Sequence, residues 1–394
     1  MNTYLIGALA LTATSAPGIA NENEWLSMDS ELESLRSFST QADGPNLSGW
    51  IITSLRFAGD VAGGENFNGD GAPFSGDEND VGGFNLDSVR LNVEGSVSDY
   101  SYKISAELGE SDGAGGPDPV GAGPPGLAPN RTALLLDAYV DWTVGESVNL
   151  RVGNFRQPFL KSGLVTRNRT LFTDRSILGN LFAGRQAGLQ VSGDFEQVRW
   201  ALAAQNGLDG IGDEFIITGR VEVDVLGNGV GDIEGAYGAS DEAALTVGLA
   251  GFDEGGHSDG TAFALDAQFT TGAFYASGEI VSFDDGSNFG APPNLFGAAY
   301  GLPGVPVVGL TDVSDTTPYA FTAAYMLGED EYEIAARYEE SDNVNDDSAL
   351  TVGVNKYVHG HDIKWSLSYT MWDTNAALPA DDADIIALSL AMGF

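Results

Sequence analysis

From Leu47 to the last residue, apolar side chains recur at every second position, and this period limits what the chain can become. Ile363, Trp365, Leu367, Tyr369 and Met371 alternate with Asp362, Lys364, Ser366, Ser368 and Thr370. Tyr100, Tyr102, Ile104, Ala106 and Leu108 alternate with Ser101, Lys103, Ser105 and Glu107, and Tyr332, Ile334, Ala336 and Tyr338 with Glu333, Ala335, Arg337 and Glu339. Successive side chains of a strand point to opposite faces, so each run is a strand with one oily and one wet face. Sixteen such runs can be laid out, near 48–58, 84–97, 100–110, 132–144, 147–155, 185–195, 197–206, 215–226, 243–253, 261–270, 273–284, 318–327, 332–341, 348–358, 362–373 and 384–394. Most are long enough for a tilted strand to cross a bilayer, which takes about 9–11 residues.

Alternation alone fits a soluble sandwich as well as a membrane barrel; the connections separate the two. Those after odd-numbered runs are long, with 59–83, 111–131, 156–184 and 285–317 the longest. Those after even-numbered runs are mostly tight: Ser98-Asp99, Gly145-Glu146, Glu196, Thr271-Gly272 and Gly360-His361. Only 227–242 breaks the rule. Long loops on one rim and short turns on the other are the habit of bacterial outer-membrane barrels, and a sandwich has no reason to sort its loops by parity. The expected fold is all-β, a 16-stranded antiparallel transmembrane β-barrel over 47–394 with its third long loop folded inward. The last strand alternates Leu388, Leu390, Met392 and Phe394 to the end, in keeping with an outer-membrane assembly signal.

Ahead of the barrel, Met1 to Ala20 reads as a signal peptide, with an apolar run Leu5 to Leu11 and small residues Gly18-Ile19-Ala20 at its end. Residues 21–46 form a separate segment. In it Trp25, Met28, Leu32 and Leu35 fall at helical spacing, which predicts a short helix over 22–39, either a surface helix or a small trimerising coiled coil.

The charge balance excludes whole classes of function. With 57 acidic and 17 basic residues, net −40, the chain is no nucleic-acid binder, because neutralising phosphates takes a surplus of cations. There is no cysteine, hence no thiolate metal site or catalytic thiol. Of the three histidines, His359-Gly360-His361 falls in a predicted tight turn and reads as turn rather than ligand. No serine stands in a nucleophile-elbow context, and nothing argues for an enzyme. No cofactor is called for. A calcium-loop pattern can be traced from Asn66 through Asn68, Asp70 and Gly71 to Asp77, though acidic glycine-rich loops produce such matches by accident.

Against this acidic background the basic residues cluster. Arg151, Arg156, Lys161, Arg167, Arg169, Arg175 and Arg185 lie within 35 residues that hold one acid, Asp174. The island covers the 156–184 loop, which is well placed to narrow a lumen. Cations in a narrow, partly desolvated passage lower the entry barrier for anions, and guanidinium matches phosphate or carboxylate oxygens. Strand parity adds Arg199 and Arg220 to the wet face, together with Arg56, Arg90, Lys103, Arg337 and Lys364. Glu94, Glu107, Glu222, Asp224, Glu333 and Glu339 share that face, so the walls are mixed. The alternative is that the loop arginines pair with these acids and anchor the loop.

The run Arg151-Val152-Gly153-Asn154-Phe155-Arg156-Gln157-Pro158-Phe159 resembles the phosphate-selective porin O and P family, in which a strand ends in a Gly-x-Phe-basic-x-Pro-Phe signature and enters the constriction loop. Phe172-Thr173-Asp174-Arg175-Ser176 is similar to that family's Phe-x-acid-Arg-Ser step, and Gly184-Arg185-Gln186-Ala187-Gly188 to the start of its next strand. The resemblance spans about 151–207. It implies a homotrimeric outer-membrane porin in contact with the lipid bilayer, whose basic residues guide small anions, phosphate or polyphosphate foremost. A weakly selective general porin and a structural or adhesive surface protein are the alternatives.

Overall fold

A computed structural model describes residues 44–62, 78–108, 134–145, 147–206, 215–254, 260–284, 315–328, 331–342, 347–373 and 382–394. The export segment 1–20, the helix expected over 22–39 and the calcium pattern Asn66 to Asp77 lie outside the described residues.

All sixteen expected strands are present. They are β1 (Asn46–Ala62), β2 (Glu78–Val97), β3 (Tyr100–Glu107), β4 (Leu134–Val144), β5 (Val148–Arg156), β6 (Arg185–Phe195), β7 (Val198–Asn206), β8 (Phe215–Leu226), β9 (Ala244–Glu254), β10 (Gly260–Thr271), β11 (Phe274–Phe283), β12 (Tyr319–Leu327), β13 (Tyr332–Glu340), β14 (Ser348–His359), β15 (Ile363–Asp373) and β16 (Asp382–Gly393). Each pairs antiparallel with its neighbours in sequence, and β1 pairs with β16 to close the barrel. The closing register runs from Trp50 opposite Gly393 to Gly59 opposite Asp384. Just beyond it, Gly49 N–H donates to the Phe394 carbonyl at 3.0 Å, and Phe394 N–H returns the bond to Gly49 at 3.0 Å. Closure leaves no edge strand, which a bilayer demands because it supplies no water to unpaired backbone groups.

The short turns sit on one rim, where Gly145 and Gly272 take φ of 72° and 53°, a region that glycine enters without strain and that matches hairpin twist. Among the even-to-odd connections, residues 227–243 between β8 and β9 stand apart as a longer segment.

The two faces of the wall are inverted relative to a soluble protein. Ile217, Val221, Leu249, Leu265, Leu367 and Leu388 are exposed on the outside. Arg90, Glu107, Arg220, Asp266, Arg337 and Glu339 are buried inside. A continuous apolar belt of this extent belongs in lipid. At the short-turn rim Tyr100 and Trp142 stack on the outer face with ring centroids 5.9 Å apart, as interfacial aromatics do. The buried interior of the wall is polar because a second layer fills part of the lumen, namely the loop 157–184 and the segment 227–243.

Leu388 lies mid-strand on the outer face. Leu388→Arg is expected to lower folding stability by about 2–4 kcal/mol, the cost of placing Arg near the bilayer midplane. Denaturant titration of the barrel folded into lipid vesicles measures it.

Candidate functional site

The site is built by the loop between β5 and β6. It holds two short helices, α1 (Lys161–Leu164) and α2 (Ile177–Leu181), with a 3-10 turn at Arg167–Arg169 between them. Its bonds run to residues on the inner faces of distant strands, so it lies within the barrel.

One side of the loop is glued by apolar contact. Phe159, Leu160, Leu178 and Phe182 pack on an inner-wall patch of Ile216, Ala250, Phe252, Ala262, Ala264, Val281 and Phe283, from β8 to β11. Phe159 and Phe182 meet with centroids 4.5 Å apart, and Phe159 meets Phe252 edge-on at 4.9 Å. Burial of each such ring contributes roughly 2–3 kcal/mol. An apolar patch inside a water-filled barrel has no other purpose than to hold a plug or loop.

The other side is held by polar groups, and here the predicted cations are found. A helix as short as α1 leaves its last carbonyls without intrahelical partners. Arg156 donates Nη1 to the carbonyls of Leu164 and Val165 at 2.8 and 3.0 Å. Arg175 donates to those of Ser162 and Val165 at 2.7 and 2.6 Å. Two of the expected anion ligands thus cap a helix end. Asp174 receives both terminal nitrogens of Arg56 at 2.8 Å each, and Arg56 reaches Asp87 on β2 at 2.8 Å. Ser176 caps α2 by accepting from Gly179 N–H at 3.0 Å, while its hydroxyl donates to Glu279 at 2.6 Å. Thr173 and Ser389 hydroxyls lie 2.6 Å apart. Arg337 spans the same step, donating to the carbonyls of Asp174 and Arg175 at 3.0 and 3.1 Å while its guanidinium covers the Phe172 ring at 5.0 Å. Each residue of Phe172-Thr173-Asp174-Arg175-Ser176 therefore has an assigned contact.

The remaining predicted residues are paired in most cases. Lys161 binds Asp232 at 2.6 Å, with Glu222 at 3.7 Å. Arg185 binds Asp137 at 3.2 Å and the Ala183 carbonyl at 3.0 Å. Arg220 makes a bidentate pair with Asp266 at 2.7 and 2.9 Å, bonds Glu222, and donates to the Phe159 carbonyl at 2.6 Å, locking loop to wall. Arg151 forks onto Asp141 at 2.7 and 2.8 Å above the Tyr139 ring at 3.9 Å. Arg199 bridges Glu222 at 3.1 Å and Asp224 at 2.6 Å. Two cations stand apart, both on the 3-10 turn. Arg167 has only a loose approach of 3.9 Å to Asp174, and Arg169 is exposed with no ion pair among the described residues.

The β2–β7 wall is partly open to water. There Lys103, Arg151 and Arg199 keep 26, 27 and 35 % of their side chains exposed, each beside a carboxylate. On the opposite side, His361 from the β14–β15 turn sits edge-on against the stacked pair Tyr237 and Tyr357, with centroids 5.4 and 5.5 Å away. Burial, with the nearby charges of Lys364 and Arg169, pushes its pKa down to about 4. Sequence reasoning missed Asp174 as the anchor for Arg56 and missed Asp232, Glu234 and Tyr237 of the 227–243 segment. The parity exception at 227–242 was the available signal for the latter three.

The family model described as phosphate-selective porin O and P matches residues 57–244, which take in the whole inward loop and its anchors on β8. The chain is an outer-membrane porin. No curated protein matches it. Solved structures share the fold at low identity. The outer membrane channel DcaP of Acinetobacter baumannii is similar with TM-score 0.53 at 13 % identity, over 89 % of this porin and 97 % of that chain. OprB of Pseudomonas putida gives 0.55 at 11 % identity, over 94 % and 97 %. A loop-deletion form of OmpT of Vibrio cholerae gives 0.55 at 10 % identity, over 90 % and 100 %. With the barrel in the outer membrane, the short-turn rim is periplasmic and the long-loop rim extracellular.

Two outcomes follow for this porin. Asp174→Asn removes one of the two carboxylates that hold Arg56, at a cost of about 1.5–3 kcal/mol. Heat-modifiable migration of the barrel is expected to persist while open-channel noise rises as the loop loosens. His361 is neutral in the folded porin, and its folded pKa of about 4 lies below the unfolded 6.5. Its contribution is present in full above the unfolded value and is lost as pH falls between the two. His361→Phe is expected to shrink the loss of stability over that window in denaturant titrations at stepped pH.

Proposed function

We propose that this porin passes small anions by passive diffusion, phosphate and polyphosphate foremost, and that Arg167 and Arg169 set its preference. The observation that carries this reading is the exposure of Arg169, with no ion pair among the described residues, beside Arg167, whose contact with Asp174 is a loose 3.9 Å. A guanidinium already bound to a carboxylate presents a dipole to a passing ion, whereas an unneutralised one presents a full charge whose attraction grows as water is excluded. The neighbouring arginines hold the turn in place and leave the selectivity to these two. A homotrimer is the expected assembly; for OmpT of Vibrio cholerae one structure is described as the trimer form.

A weakly selective general porin is the second reading, favoured by the carboxylate partners of Lys103, Arg151 and Arg199. Reversal potentials in a potassium chloride gradient across planar bilayers decide between them. An anion-selective potential is expected, moving toward zero in Arg167→Ala/Arg169→Ala. A non-selective potential unchanged by the double substitution supports the general porin, and a cation-selective one overturns the anion reading.

A further inference from the structure

Residues 227–243 leave the periplasmic end of β8 and return to β9 without forming a hairpin turn. Their glycines fit the path they take. Gly229 has φ of 73°, and a Cβ there would fall 2.0 Å from the Asp224 carboxylate; Gly235 has φ of 113° against the Glu333 carboxylate.

The bonds made by this segment trace its course. Near its start, Val230 N–H donates to Thr246 Oγ1 on the inner face of β9 at 2.8 Å. Farther along, Ala236 N–H donates to Glu333 of β13 at 2.6 Å, and Tyr237 stacks on Tyr357 of β14 with centroids 4.2 Å apart. The segment therefore crosses the lumen from one wall to the other. Midway it holds the end of the 3-10 turn of the inward loop. Glu234 N–H donates to the Arg169 carbonyl at 3.0 Å, and the Glu234 carboxylate accepts from Leu171 N–H at 3.1 Å. Two residues earlier, Asp232 binds Lys161 at 2.6 Å while keeping 75 % of its side chain exposed.

We propose that residues 227–243 are a second constriction element, a strap entering from the periplasmic rim that narrows the bore, fixes the Arg167–Arg169 turn through Glu234, and limits anion preference through Asp232. The strap closes the lumen between β8–β9 and β13–β14, which leaves the passage along the wall where Lys103, Arg151 and Arg199 meet water. Its effect on bore and on loop motion is independent of which ions pass; its effect on charge rests on the anion reading above.

Single-channel recording of the full-length porin in planar bilayers tests this with three variants. Replacing 228–242 by Asn-Gly, a hairpin turn, is expected to raise conductance about twofold as the bore widens. Glu234→Ala, which removes only the grip on the turn, is expected to increase open-channel noise and serves if the shortened barrel does not fold. Asp232→Asn is expected to raise the anion-to-cation permeability ratio roughly threefold by removing an exposed negative charge, with conductance near that of the wild type. Wild-type noise in Glu234→Ala, together with wild-type conductance in the shortened barrel if it folds, would overturn the strap as a constriction. A wild-type permeability ratio in Asp232→Asn, in a channel whose wild type is anion-selective, would overturn its role in charge. A cation-selective wild type would defeat the anion reading alone, because noise and conductance would still report on the strap.

Discussion

A polar group taken out of water must find a partner inside the molecule, and that constraint organises this porin from the lipid to the lumen. In the bilayer it acts on the backbone: sixteen strands are paired on both sides and β1 is sealed to β16 up to Gly49 and Phe394. Inside the barrel it acts on the loop. A segment with a four-residue helix and a single 3-10 turn cannot satisfy its own carbonyls, so Arg156, Arg175 and Arg337 supply donors from outside those elements. Arginine suits the task because its fork reaches two carbonyls at once and stays charged.

The same arrangement separates cations bound tightly into the structure from those that lack a close carboxylate. Arg56, Arg185 and Arg220 are bound to carboxylates with little exposure, and stripping one of them of all its carboxylate partners would strand a buried charge. Among the described residues of the inward loop, the turn at Arg167–Arg169 sits at the edge of this network. Its position is determined from both rims: the loop descends from the extracellular side and the segment 227–243 rises from the periplasmic side. The two meet where Glu234 brackets Arg169 and Leu171.

Much of the fold could be read in the chain because a barrel wall repeats one rule. Alternation with one apolar face marks every strand, and loop parity separates the two rims. The reading faltered at β2, which begins at Glu78 rather than near 84, since Gly82-Gly83 and the acids before them carry no period. The basic island was visible too, but the role of each member was not. Asp174 and Arg56 are 118 residues apart, and only the register of a closed barrel brings them within hydrogen-bonding distance. Likewise 227–242 stood out by length alone, while its inward course depends on Glu333 and Tyr357, whose contacts no local pattern encodes.

The central claim is that the cations of the inward loop divide into those spent on holding it and those left to meet an anion. Anomalous diffraction from crystals soaked in bromide maps this division directly. The account predicts bromide density beside Arg169 and Arg167, and none at Arg156, Arg175 or Arg220. Density at those three, or an empty turn at Arg167–Arg169, would contradict it.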